Sequence, residues 1–302
     1  MLGSTVTVAA KRAAFRADLA SGRLLRLPGA FSPLVARIVQ ETGFDGVYIS
    51  GAALSADLAL PDIGLTTLSE VAARGGAIAQ ATDLPALIDA DTGFGEPLNV
   101  ARTTRVLEQA GLAGLHLEDQ VNPKRCGHLD HKAVVSVPEM VARLRAAVDA
   151  RTDPSFVICA RTDARTVEGL SAAIDRAKAY VDAGADMIFA EAIADESELA
   201  AFRASVDVPL LANMTEFGKS PLLDVATLER LGVNVVIYPV TTLRIAMGAV
   251  EAGLRTIAAE GTQSSIVPAM QTRARLYELL DYADYTQFDS SVFNFTVGGA
   301  DR

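Results

Sequence analysis

The sequence predicts an α/β fold, a (β/α)8 TIM-type barrel with additional C-terminal helices. Three observations carry that expectation. A unit of amphipathic helix, glycine and short apolar stretch recurs: Gly43 stands before 46–50, Gly111 before 114–118, Gly184 before 186–191 and Gly232 before 233–239. Each glycine supplies the left-handed residue that ends a helix. The stretches 24–27, 47–50, 86–89, 115–118, 156–160, 187–190, 210–213 and 235–238 are nearly all apolar, as in strands buried on both faces. Helical patterns separate nearly all of them, and strands alternating with helices pair in parallel. This many such strands favour a closed barrel over an open doubly wound sheet, the second reading.

Taken from the amino terminus, residues 1–20 carry Lys11, Arg12, Arg16 and Asp18 at helical spacing and read as a short amphipathic helix. They lack the apolar segment of a secretory signal, and a transit peptide is the lesser reading. Helix 67–81 leads into strand 86–89, helix 98–110 into 115–118, helix 138–150 into 156–160, helix 168–183 into 187–190, and helix 226–231 into 235–238. The tail, 241–302, reads as two or more further helices, rich in Tyr and Leu over 273–284 and followed by Phe288, Phe293 and Phe295. One barrel has no need of so much apolar tail, so it is expected to pack on a neighbouring subunit. No linker or low-complexity stretch interrupts the chain, and 1–302 is expected as a single barrel domain with 241–302 as its helical extension.

The chain has 302 residues, half of them apolar, which suits one large domain. Its formal charge of −10 and the lack of a Lys/Arg cluster with interleaved aromatics argue against nucleic acid as a partner. An anionic small molecule stays open, because a few arginines reverse the field of a pocket. No apolar run reaches the length that spans a bilayer, so no membrane partner is expected. The two cysteines, Cys126 and Cys159, make no disulfide framework and fit a cytoplasmic location.

In barrels of this kind reactive groups sit at the C-terminal ends of the strands. Those ends read Ser50-Gly51, Asp89-Ala90-Asp91, Glu118-Asp119, Arg161-Thr162-Asp163, Glu191 and Asn213-Met214-Thr215. Asp89, Asp91 and Glu118 converge without His or Cys at ligand spacing, which suits a hard cation held by oxygen, with waters filling its octahedron. The bland alternative is that these acids pair with arginines or cap helices. The long segment 119–129 places Cys126 beside Lys124, Arg125 and His128, and positive neighbours favour a reactive thiolate. Zinc on Cys126 and His128 is a weak reading in a chain with three histidines. Cys159 lies within an apolar strand and reads as core. His116 alternates with Leu115 and Leu117, leaving a satisfied interior histidine and a functional one equally open, while His131 reads as surface. Arg161 ends a strand where a guanidinium grips a carboxylate. For Arg244 and Arg273 a pocket role and a solvated helix face stand level.

Lys124-Arg125-Cys126-Gly127-His128 resembles the signature loop of the isocitrate lyase and phosphoenolpyruvate mutase superfamily. Tyr48-Ile49-Ser50-Gly51, Leu60-Pro61-Asp62, the stretch from Asp89 to Gly95, His116-Leu117-Glu118-Asp119-Gln120, Ala160-Arg161-Thr162-Asp163 and Asn213-Met214-Thr215-Glu216 agree with it, so the likeness runs over about 10–285. The resemblance implies a Mg2+-dependent carbon–carbon lyase that cleaves 2-methylisocitrate to pyruvate and succinate, as in propionate breakdown. Dimethylmalate, isocitrate or an oxaloacetate-like acid are the alternative substrates, and a non-catalytic binding barrel is the alternative of another class. It implies that Asp89, with Asp91 and Glu118 partly through water, holds the metal. It implies that Ser50, Gly51 and Ala52 hold one end of the substrate, that Tyr48 and Asp62 lie near the reacting hydroxyl, and that Cys126 is the acid. Gly127, His128, Arg161, Glu191, Asn213, Met214, Thr215, Arg244 and Arg273 are implied to line the rest. A homotetramer with exchanged C-terminal helices is implied as well. Three features bear on the choice of substrate: Ser50-Gly51-Ala52-Ala53 stands where relatives carry a run of glycines, Ala190 where many carry Pro, and the stretch Ile188-Phe189-Ala190-Glu191 against a bulkier Trp-containing counterpart in isocitrate lyases.

Overall fold

Alternation along the strands sorts the apolar side chains into an inner and an outer set. The computed structural model describes residues 4–127 and 131–293. Its strands are β1 Leu25–Pro28, β2 Val47–Ile49, β3 Ala86–Asp89, β4 Gly114–Glu118, β5 Val157–Thr162, β6 Met187–Ala190, β7 Leu210–Asn213 and β8 Val235–Tyr238. All pair in parallel, in the order β1-β8-β7-β6-β5-β4-β3-β2. A bridge between Gly29 and Tyr48 brings β1 to β2, so the sheet curls into the expected barrel. Successive strand residues point to opposite faces. Leu27, Tyr48, Leu87, Cys159, Phe189, Leu211 and Ile237 therefore fill the interior, while Ile49, Ile88, Leu117, Ile158, Ile188 and Val236 lie beneath the helices.

The helices are α1 Val8–Ala20, α2 Pro33–Glu41, α3 Gly51–Asp57, α4 Leu68–Gln80, α5 Pro97–Gln109, α6 Val137–Ala150, α7 Arg165–Glu168, α8 Leu170–Asp182, α9 Glu196–Ser205, α10 Val225–Arg230, α11 Thr241–Glu260, α12 Arg273–Leu279 and α13 Tyr282–Phe293. Most of their starts carry side-chain caps, such as the reciprocal Thr67–Glu70 pair at α4 and Asp224 at α10, whereas α5, α7, α8 and α11 have none. Gly43, Gly111, Gly184 and Gly232 take positive φ after their helices, as their places in the repeat require. The single helix expected over 168–183 is divided at Gly169, whose φ of +93° no right-handed helix contains.

α1 plugs the barrel floor, with Phe15 and Leu19 in the interior cluster. Two of its charges are buried rather than solvated. Lys11 donates to the carbonyls of Ala79 and Thr82, and Arg12 to those of Leu112 and Glu108, so both cations satisfy the open C-terminal ends of α4 and α5. Among the described residues no helix is long and apolar enough to cross a membrane. α11 buries none of its side chains within this chain.

Candidate active site

The alternation that fills the barrel also aims the site. Each interior row, carried two residues past the apolar part of its strand, reaches a polar group: Tyr48 to Ser50, Leu87 to Asp89 and Asp91, His116 to Glu118, Cys159 to Arg161 and Asp163, Phe189 to Glu191, and Leu211 to Asn213 and Thr215. These ends meet at one cavity, whose wall includes Tyr48, Ser50, Ala52, Asp62, Asp89, Cys126, Gly127, Arg161, Glu191, Asn213, Thr215 and Arg244. Sequence reasoning named all of these. Gly51 adjoins them, its N–H donating to Asp89 Oδ2 at 3.2 Å. A Cβ on Gly51 would fall 2.9 Å from that oxygen, so only glycine admits this approach.

Arg161 is almost wholly buried and faces three carboxylates: Asp163 at 3.0 Å, Glu191 at 3.3 Å and Glu118 at 3.4 Å. Its guanidinium also lies over the Phe189 ring, 5.1 Å from the centroid. Lys124 reaches in from the long segment. It pairs with Asp62, and its ammonium is 2.8 Å from Asp91 Oδ1. Burial alone would lower the lysine's pKa, but Asp91, Glu118 and Asp89 outweigh it and hold it well above the ordinary value. Burial, with the Asp89 charge beside it, pushes Asp91 up to about 6, and burial pushes Glu118 well above the carboxylate range. For Asp89 burial is overcome by His116, Lys124 and Arg161, and its carboxyl stays below its usual value.

His116 was open on sequence; it lies within the site with Nε2 bonded and its buried Nδ1 without a hydrogen-bond partner among the described residues. It is fully buried, its Nε2 lies 2.8 Å from the Tyr48 hydroxyl, and the two rings stack at 9°. Burial lowers its pKa to about 4, so the ring is neutral, while burial and Asp89 hold the Tyr48 phenol well above its ordinary value.

Both oxygens of Glu118 are buried and take no hydrogen bond among the described residues. A bound ion would give these oxygens, and the equally unbonded Asp91 Oδ1, the partner they lack, so the set Asp89, Asp91 and Glu118 fits a hard divalent ion. Among the described residues no three His, Cys, Asp or Glu side chains converge closely enough to cage an ion by themselves.

The segment carrying Cys126 is braced at its root. Asp119 accepts from Thr162, Tyr180 and the Asp163 N–H, and the Gln120 side chain bonds both main-chain groups of Arg125. Cys126 is half-buried, whereas Cys159 is a buried interior residue as expected. His131 is exposed, also as expected.

Three expected site residues stand apart. The Met214 sulfur turns outward, accepts the Leu223 N–H at 3.1 Å and packs in the outer cluster, because its neighbours Asn213 and Thr215 hold the inner face. Arg273 is exposed in the first turn of α12, outside the cavity of this chain. His128 lies outside the described residues. Sequence reasoning gave no site role to Lys124 beyond its charge, nor to Pro239 and Val240, which also line the cavity. The shared parity of His116 with Glu118 is the signal that placed His116. Lys124 lies in a segment without periodicity, so no comparable signal marks it.

The sequence pattern of the phosphoenolpyruvate phosphomutase family matches residues 15–258. The chain belongs to that family. Within the phosphoenolpyruvate phosphomutase family it is 62% identical to a probable 2-methylisocitrate lyase 2 of Corynebacterium glutamicum, over 98% of this chain and 97% of that one. The solved structure of 2,3-dimethylmalate lyase, a PEP mutase/isocitrate lyase superfamily member, superposes with a TM-score of 0.89 at 32% identity, covering 99% of this chain and 100% of that one. A phosphonopyruvate hydrolase in complex with oxalate and Mg2+ is 32% identical with a TM-score of 0.84, covering 95% and 99%.

Proposed function

We propose that this chain cleaves 2-methylisocitrate to pyruvate and succinate. The observation that carries the proposal is that Cys126, Tyr48, Asp89 and Arg161 line one cavity, in a chain 62% identical to a probable 2-methylisocitrate lyase. A thiol, a phenol and carboxylates lining one cavity match a reaction that removes one proton and returns another.

Asp89, Asp91 and Glu118 would hold Mg2+, with Mn2+ as a substitute, and Gly51 leaves room beside them. When bound, the ion lowers the cost of negative charge on the substrate's hydroxyl oxygen and adjacent carboxylate. Ser50, Gly51 and Ala52 seat that end of the substrate. Tyr48 and Asp62 border the tertiary hydroxyl, and the hydrogen bond between Tyr48 and neutral His116 makes the pair a candidate destination for its proton. As the O–H electrons form the ketone of pyruvate, the C2–C3 pair passes to the succinate half as an aci-carboxylate. Arg161 and Arg244 stabilise that charge, and the Cys126 thiol protonates the carbon to give succinate.

The substrate carboxylates must compete for Arg161 with Asp163, Glu191 and Glu118, which hold it in place beforehand. We also propose that a second copy of the chain covers α11, forming a homotetramer with exchanged C-terminal helices; such an exchange would carry Arg273 to another subunit's cavity.

The test is pyruvate release from 2-methylisocitrate. EDTA-treated protein should be inactive and Mg2+ or Mn2+ should restore it. Full turnover without metal, or wild-type turnover in Asp89→Ala, would sink the metal assignment. No pyruvate under any metal would sink the substrate assignment, and a panel of 2-hydroxy polycarboxylates would then locate the true one.

A further inference from the structure

We infer that Lys132 is a positioning residue that fixes the Cys126–Gly127 main chain against Arg161. The inference rests on the reading above, in which Cys126 and Arg161 act on one substrate. Lys132 follows the segment that carries Cys126, yet its side chain is only 1% exposed. Its ammonium donates to the Gly127 carbonyl and, at 2.7 Å, to Asp163 Oδ1. Asp163 in turn accepts Arg161 Nε at 3.0 Å and Nη2 at 3.2 Å. One ammonium thus ties the residue next to Cys126 to the carboxylate that orients Arg161.

The base from which Lys132 reaches is itself fixed. Val121 N–H donates to the Ala133 carbonyl at 2.9 Å and Val135 N–H to the Asp119 carbonyl at 2.8 Å, so residues beside Lys132 are pinned to the end of β4. The other side of the contact has no slack. A Cβ on Gly127 would lie 2.3 Å from Arg161 Nη2 and 2.5 Å from Glu191 Cγ, so the main chain at Gly127 rests directly on both side chains. Movement of Gly127 is therefore movement of Cys126 relative to Arg161.

Energetics favour a positional role over a purely stabilising one. A buried ammonium must recover a large desolvation cost, and buried ion pairs often add little net stability compared with apolar residues of the same volume. Asp163 already has Arg161 as its counter-charge. What Lys132 adds is a donor for a main-chain carbonyl beside the thiol.

The experiment compares Lys132→Met, Lys132→Gln and Lys132→Arg with the wild type. It reads the rate at which iodoacetamide labels Cys126, followed by peptide mass, together with kcat and KM for 2-methylisocitrate. In Lys132→Met the labelling rate should rise severalfold and kcat should fall, on the order of 100-fold for an ångström-scale misplacement, with KM little changed. Lys132→Arg, which can donate to the same two oxygens, should recover most of the loss. Wild-type labelling and kcat in Lys132→Met overturn the inference, as does an arginine variant no better than methionine. If the methionine variant fails to fold, Lys132→Gln decides: faster labelling with reduced kcat supports the role, and wild-type values overturn it. Should the wild type release no pyruvate, the proposed function fails while the labelling comparison still decides the role of Lys132.

Discussion

Two thiols in this chain show how position decides chemistry at the scale of a residue. Cys159 sits on the inner face of β5, wholly buried, and burial raises its pKa well above the ordinary value, so it is inert packing. Cys126 is half-buried at the cavity, next to a glycine whose main chain touches Arg161 and Glu191. A general acid contributes about 10²–10⁴-fold, or roughly 3–5 kcal/mol of barrier. Cys126→Ala is expected to lose at least that much kcat while still binding substrate, and iodoacetamide is expected to inactivate by labelling Cys126, with succinate protecting. Cys159→Ala is expected to keep kcat and lose about 1 kcal/mol of stability. Near-normal turnover in Cys126→Ala would mean that the proton comes from elsewhere. The sequence made this division legible because Cys159 lies in an apolar strand and Cys126 does not. It did not reveal that Lys124 would reach Asp62 and Asp91, since that contact is set by how the segment folds back over the rim.

At the scale of an element, β6 governs the size of the pocket. Phe189 projects inward, edge-on to His116 with centroids 5.4 Å apart, and beneath the Arg161 guanidinium. A larger ring at this position would occupy space that a substrate methyl needs. One methyl in such a pocket is worth about 1–3 kcal/mol, or roughly 10–200-fold. Methylisocitrate should therefore exceed isocitrate in kcat/KM by a factor of that order, and Phe189→Trp should narrow the gap. Equal values for the two substrates in the wild type would remove Phe189 as the basis of the choice. Element boundaries followed the sequence closely where local chemistry fixes them: β3, β6, β7 and β8 fall on the expected residues. The division between α7 and α8 was hidden, because the apolar pattern continues across Gly169 while the backbone does not.

At the scale of the whole molecule, the barrel leaves an apolar tail unburied. α11 presents Met247, Val250, Leu254 and Ile257, spaced three or four apart on one stripe and 48%, 50%, 62% and 41% exposed. Burying such a side chain is worth about 1.5–3 kcal/mol, so a row of them would drive the proposed association. Leu254→Glu is expected to lower the mass measured by light scattering relative to the wild type. A wild type that is monomeric at micromolar concentration would overturn the assembly. An unchanged mass in the variant would place the interface elsewhere.

By itself the sequence determined the number and order of the strands and their alternation with helices, the inner and outer faces of the barrel, and the polar groups at the strand ends. These follow from two-residue alternation, caps and glycines, all of which act within a few residues. Tertiary structure alone decided which of those groups meet. Asp62, Lys124 and Lys132 come from segments without periodicity, and they join Asp91 and Asp163 only because the closed barrel brings distant strand ends to one rim. The burial of Lys11 and Arg12 beneath the barrel was decided in the same way, by helix ends that need donors and that the local pattern of α1 does not record.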